Sequence, residues 1–285
     1  MITVTGSSGH LGRLTVQALL KRGVPAGELV AVARDPQKVD DLAAAGVQVR
    51  QGDYSRPETL GPALAGTDVL VLISSSEVGQ RVAQHRNIVD AAVAAGVGRI
   101  VYTSILKADT SGAALAAEHL ATEQLIRESG LPFTFLRNCW YLENYTENLA
   151  PALQFGAVFG ATAGGRVAAA ARADYADAAA VVAIGTGHGN AVYELGGDQP
   201  FTMAELAEEV SRRTGRQVVS TDLPAEEYTK VLVQAGLPEP YAAVLADSDV
   251  AIGRGDLTTD RTDLRDLIGR PTTTLADAVA AALKD

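Results

Sequence analysis

The chain has 285 residues, 47% hydrophobic and 20% charged, which is apolar enough to bury a sizeable core and excludes intrinsic disorder. A formal net charge of −10 and short, interrupted apolar runs argue against a nucleic-acid partner and against a membrane span. One cysteine, Cys139, forbids an internal disulfide; with no signal-peptide pattern before the first strand, the expectation is a soluble cytoplasmic protein.

Ile2 to Thr5 is a β-branched run that predicts a buried parallel strand. Gly6, Gly9 and Gly12 follow, and then a helical segment, Leu11 to Arg22. Gly6 supplies the positive-φ turn, Gly9 lets a ligand approach the backbone, and Gly12 lets the helix pack tightly on the sheet. The free N–H groups and partial positive charge of that helix N-terminus favour a pyrophosphate. The spacing is G-x-x-G-x-x-G, not the commoner G-x-G-x-x-G, so the turn alone does not establish a nucleotide site and the later strands must support it.

Further strands are predicted at Leu29–Ala33, Val47–Arg50, Asp68–Ile73, Arg99–Ser104 and Phe133–Arg137. Helical segments separate them at Pro36–Ala45, Pro57–Leu64, Val78–Ala95 and Leu115–Glu128. This alternation predicts an α/β fold with a doubly wound, parallel, Rossmann-type sheet. Ligands in such sheets sit beyond the carboxyl ends of the strands, where this chain carries Gly6 to Ser8, Arg34, Ser74 to Glu77, Ser104 and Asn138.

Beyond Asn138 the alternation weakens. A helix is predicted at Asp174–Ile184, a strand at Ala191–Leu195, and a capping box at Thr202 and Glu205 opens a helix to about Arg213. More helices follow near Ala225–Ala235, Pro240–Leu245 and Ala276–Lys284. The expected division is a nucleotide-binding domain over 1–150 and a smaller mixed α/β substrate part over 151–285, with the chain interleaving.

At the end of the second strand an acidic residue would accept hydrogen bonds from the ribose 2′-OH of NAD. Arg34 stands there instead, and its guanidinium suits the 2′-phosphate of NADPH, with NADH a weaker alternative. None of the eight tyrosines has lysine four residues on, so the Tyr-x-x-x-Lys acid of many short-chain reductases is missing. The chain therefore either binds a dinucleotide without turnover or reduces something that needs no strong acid. A quinone is such a substrate, because its hydroquinone anion has a conjugate-acid pKa near ~10, whereas an alkoxide approaches the ~16 of water. Trp140, Tyr141 and Tyr145 offer flat surfaces for it, with Ser76 close to them in the expected site.

The remaining polar candidates have plain readings. His85 and His119 read as packing residues, His188 as a turn residue, and Cys139 as a small buried hydrophobe. Ser104 either bonds a carboxamide or caps the next segment. Four scattered histidines and one cysteine make no metal site.

Several longer runs carry a family resemblance. They are Gly6 to Gly12, Ser74 to Arg81, Gln84 to Asn87, Tyr102 to Ser104, Ala108 to Ser111, Arg137-Asn138 and Trp140 to Tyr145. Arg172 to Tyr175, Leu245 to Asp249 and Pro271 to Leu275 continue them. The chain resembles the NmrA-like family of atypical short-chain dehydrogenases and, within it, the bacterial type 2 NAD(P)H:quinone oxidoreductases. The resemblance implies NADPH held by Gly6, Ser7, Ser8, Gly9, His10, Leu11, Arg34, Ser74, Ser75 and Ser76. Asn138, Cys139, Trp140, Tyr141, Leu142 and Glu143 would complete the nucleotide site. It implies hydride transfer straight to a quinone or similar planar molecule without flavin, and no indispensable acid or base. It leaves room for a homo-oligomer. The alternative within the family is a redox-sensing regulator that binds NAD(P) and turns nothing over.

Overall fold

The computed structural model describes residues 1–147 and 149–284. Its strands are β1 (Ile2–Val4), β2 (Leu29–Ala33), β3 (Gln48–Gln51), β4 (Val69–Leu72), β5 (Arg99–Ile105) and β6 (Phe133–Asn138). Later come β7 (Ala157–Gly160), β8 (Ala191–Leu195) and β9 (Val219–Asp222). The first helices are α1 (His10–Lys21), α2 (Asp40–Ala44), α3 (Leu60–Leu64), α4 (Arg81–Ala94) and α5 (Ala114–Glu128). After β6 follow α6 (Glu143–Thr146), α7 (Ala150–Phe155), α8 (Arg172–Ile184) and α9 (Met203–Thr214). The last are α10 (Ala225–Gln234), α11 (Glu239–Gly253), α12 (Asp263–Ile268) and α13 (Leu275–Ala282).

Seven parallel strands form one sheet in the order β3-β2-β1-β4-β5-β6-β8. Val4 of β1 lies between Ala31 of β2 and Val71 of β4, so the chain winds outward in both directions from β1. The crevice of such a sheet opens above that reversal, over the carboxyl ends of β1 and β4. This is the doubly wound parallel sheet that the alternation predicts.

Because side chains alternate along a strand, each face has its own core. Val4, Ala31, Val71 and Val101 face α1, α8 and α12. Leu70, Leu72, Ile100, Tyr102 and Phe135 face α3, α4 and α5. Both α8 and β8 come from the second half of the chain and join the main layers. A third core gathers β6's end, α9 and α13 around Leu206, Val210 and Val279, and the two-stranded β7-β9 sheet flanks it.

The sequence pattern stops short at α11, where Asp247, Ser248 and Asp249 suggest an ending after Leu245. The helix instead runs to Gly253, because each polar residue has a partner inside the fold. Asp247 accepts the Ala114 N–H at 2.8 Å, Ser248 donates to the Val244 carbonyl at 2.9 Å, and Asp249 accepts the Ala161 N–H at 2.9 Å. Strand β9 and helix α12 also escape sequence reading. The Val219-Ser220-Thr221-Asp222 segment is polar, and α12 is under two turns long.

Burial raises the Asp249 carboxyl to about 6; the Ala161 N–H opposes that rise and Asp222 adds to it. A carboxyl whose pKa is raised by folding stabilises the fold below its unfolded value of 3.8, and that contribution is lost as pH rises through about 6. The gap corresponds to about 3 kcal/mol. Asp249→Asn is therefore expected to raise the urea midpoint at pH 8 and to leave it nearly unchanged at pH 4. Denaturation curves at the two pH values check this, and an equal effect at both contradicts it.

Candidate active site

The β1–α1 turn is shaped by backbone alone. Gly6 sits at φ +62°, and the Gly9 N–H closes on its carbonyl at 2.9 Å. A Cβ on Gly12 would lie 2.7 Å from the Gly6 carbonyl carbon and closer still to its oxygen, so only glycine lets α1 start there. No side chain caps α1 and its first turn holds no acidic residue. Its first N–H groups thus have no partner among the described residues, an arrangement suited to an anion.

Above this turn lies a cavity of about 630 Å³. Gly6, Ser8, Gly9, His10, Leu11, Arg34, Ser74, Ser75, Ser76, Asn138, Cys139, Trp140 and Tyr141 line it, all of them sequence candidates. Ser7, Leu142, Glu143 and Tyr145 do not. The Ser7 hydroxyl donates to the Val4 carbonyl at 2.8 Å, and Leu142 belongs to the third core. The Glu143 carboxylate accepts the Arg172 N–H at 2.9 Å and so caps α8. Tyr145 turns to Phe201, with ring centroids 5.6 Å apart, and its hydroxyl has no partner among the described residues.

At one end of the cavity Arg34 projects from the end of β2, 68% exposed, and donates to Glu77 at 2.7 Å. Glu77 also accepts from Gln84 at 2.7 Å, which anchors it beside the rim. Lys38 adds a second cation on the wall. The loop after β4 is pinned from below. The Ser74 N–H donates to Thr103 at 2.9 Å, the Ser75 N–H donates to His85 Nε2 at 2.9 Å, and Arg81 donates to the Ser75 carbonyl at 2.7 Å.

At the other end, Trp140 and Tyr141 follow β6. Tyr141 packs against Tyr175 at 5.5 Å and under the Arg172 guanidinium at 5.1 Å. Asn138 is 3% exposed, and its enclosed Oδ1 has no partner among the described residues. The Ser104 hydroxyl donates to Glu123 at 2.7 Å, so this serine serves the network beneath the cavity. Burial pushes the Cys139 thiol up to about 12, and it donates weakly to the Leu257 carbonyl at 3.2 Å, which leaves it a packing group.

Sequence reasoning missed Lys38, Leu115, Asn144 and, on α11, Tyr241, Val244 and Leu245, all of which line the cavity. His119, expected as a hydrogen-bonded packing residue, is buried and bonded to Tyr102, and it also lines the cavity. The α11 residues lie about a hundred positions from the Trp140 run, and no local pattern connects the two. Among the described residues no cluster of His, Cys, Asp or Glu could hold a metal, and no helix is long and apolar enough to cross a membrane.

Known proteins share this architecture over the whole chain. The model of the NmrA-like family matches residues 1–263. Quinone oxidoreductase 2 of Escherichia coli (strain K12) is 48% identical over 280 residues, covering 98% of each chain. The crystal structure of an NADPH-dependent quinone oxidoreductase from Escherichia coli complexed with NADPH superposes with a TM-score of 0.96, covering 99% of this chain and 100% of that one at 48% identity. The triphenylmethane reductase of Citrobacter sp., complexed with NADP(H), gives 0.94 at 41% identity, covering 99% of this chain and 100% of that one. Fold, cavity and these matches agree: the chain belongs to the NmrA-like family.

Proposed function

We propose that this protein reduces quinones with NADPH by direct transfer of a hydride, with no flavin between donor and acceptor. The observation that carries the reading is a single cavity joining a bare helix N-terminus, a cationic rim at the end of β2 and a flat aromatic wall. Those three features match the pyrophosphate, the 2′-phosphate and the reacting rings of such a pair. The name of the Escherichia coli relative at 48% identity, and the NADPH in its structure, support the same conclusion.

In this reading the first N–H groups of α1 hold the pyrophosphate, and Arg34 with Lys38 takes the 2′-phosphate. Asn138, in the cavity wall with an enclosed and unpartnered Oδ1, is the side chain whose turn would give a carboxamide N–H an acceptor beside the reacting ring. Trp140 and Tyr141 hold the acceptor flat against the nicotinamide, so that orientation supplies most of the rate. Water completes the protonation of the hydroquinone anion. Residues 1–150 carry the nucleotide, the later part closes over the acceptor chiefly through α11, and a reducing cytoplasm suits the unpaired Cys139.

Purified protein freed of flavin, mixed with NADPH and benzoquinone, should lose the reduced-nicotinamide absorbance band at a rate proportional to protein. Normal NADPH binding without turnover would instead support a regulator of the NmrA type. Arg34→Ala should weaken NADPH binding by about 10- to 70-fold, or about 1.5–2.5 kcal/mol for a charge-assisted contact, and NADH by much less. Fluorescence titrations with both nucleotides check it, and equal losses would contradict the 2′-phosphate role.

A further inference from the structure

One donor in the cavity wall is left without a role by these nucleotide and ring contacts. His119 on α5 is 6% exposed and lines the cavity, with Nδ1 2.7 Å from the Tyr102 hydroxyl. Tyr102 is fully buried and has one proton to place; besides the His119 Nδ1 it has the Thr122 hydroxyl beside it, which gives its own proton to the Glu118 carbonyl and lies 2.9 Å from His85 Nδ1. An imidazole nitrogen at 2.7 Å is a better acceptor than a hydroxyl already taking the His85 proton, so Tyr102 donates, Nδ1 accepts, and the neutral ring carries its own proton on Nε2. Among the described residues Nε2 has no protein partner and is not an enclosed atom, and His119 lines the cavity, so Nε2 is the ring atom free to face it. Burial and the nearby Arg81 guanidinium hold this imidazole well below its ordinary pKa and keep it neutral. The neighbouring His85 has both nitrogens engaged. Its Nε2 accepts from the Ser75 N–H, and its Nδ1 donates to Thr122, which in turn donates to the Glu118 carbonyl.

We propose that the His119 Nε2–H hydrogen-bonds the acceptor oxygen on which negative charge collects as the hydride arrives, a catalytic role that rests on the quinone reading. The hydride carries its electron pair from the dihydronicotinamide to the quinone, which gives NADP⁺ and a hydroquinone monoanion; water supplies the last proton. His119 keeps its own proton. Passing it on and drawing the Tyr102 proton after it would leave a tyrosinate, and burial raises that hydroxyl far above its ordinary value. A fixed donor of this kind bonds the anion more strongly than the neutral carbonyl, so it favours the transition state over the bound quinone.

The test is a series of quinones ranked by the basicity of their hydroquinone anions, run on the wild type, His119→Phe and His119→Gln. Thermal unfolding confirms that each variant is folded. His119→Phe should lower kcat by about 100-fold for the quinone giving the most basic anion, with the loss shrinking steadily toward the least basic. His119→Gln, which retains an N–H donor, should recover most of the rate. NADPH affinity, read by fluorescence titration, should stay unchanged in both. A uniform loss across the series, or unaltered kinetics, would overturn the assignment. Weakened NADPH binding would overturn it too, by moving the contact to the nicotinamide ribose. No turnover by the wild type would overturn the quinone reading and this assignment together, whereas wild-type turnover with a flat series overturns this assignment alone.

Discussion

Arg137→Met should destabilise the protein by about 3–5 kcal/mol, the usual cost of leaving a buried carboxylate without its partner. Arg137 is nearly inaccessible and engages Glu123 through two bonds, from Nε at 2.9 Å and from Nη2 at 2.8 Å. Its Nη1 reaches Glu194 at 2.8 Å and Asp109 at 2.9 Å. Burial alone would lower its pKa, but the surrounding carboxylates more than offset that and raise it. Ser104 donates to Glu123, and Glu194 accepts the Lys107 N–H, so this one guanidinium ties together β5, α5, β6, β8 and the loop after β5. Chemical denaturation measures the loss. The double variant Arg137→Met/Glu123→Met should regain much of it, since it removes the fully buried carboxylate as well and leaves only the part-exposed Glu194 and the exposed Asp109 without the guanidinium. A double variant no more stable than Arg137→Met would contradict the argument.

Gly12→Ala should lower NADPH affinity by at least about 100-fold, the effect of misplacing the anion-binding helix end and its several backbone donors. The added methyl meets Gly6 and Ser7 backbone, with no flexible side chain to give way, so α1 must move off the turn. Helix α1 also packs on the Val4 and Ala31 face of the sheet, so the melting temperature should fall as well. Gly61→Ala is the control, because nothing lies within 4 Å of the added carbon. Isothermal titration with NADPH decides the matter, and near-normal affinity in Gly12→Ala would contradict it.

The parts of this fold that could be read from sequence are those with local causes. Apolar runs of four to six residues between amphipathic segments report a parallel sheet, because each strand is covered on both faces. The glycine turn and Arg34 were legible for the same reason, since each depends on the strand immediately before it. What stayed hidden depends on contacts between distant segments. Glu77 meets Arg34 across 43 positions, and nothing in either neighbourhood announces the pair. Tyr145 shares an aromatic run with Trp140 and Tyr141, yet the turn of α6 sends it to Phe201. His119 looks like any helical packing residue until its Nδ1 is found 2.7 Å from the Tyr102 hydroxyl, a contact between positions 17 apart in sequence.

Direct hydride transfer requires NADPH and quinone to occupy the protein together, whereas a flavin or covalent carrier lets them alternate. The decisive measurement is the initial-rate pattern for both substrates on flavin-free protein, repeated with NADPH deuterated at the transferring position. Intersecting reciprocal plots and a slower rate with the deuterated nucleotide are expected. Parallel plots, or turnover that appears only after flavin is added, would contradict direct transfer.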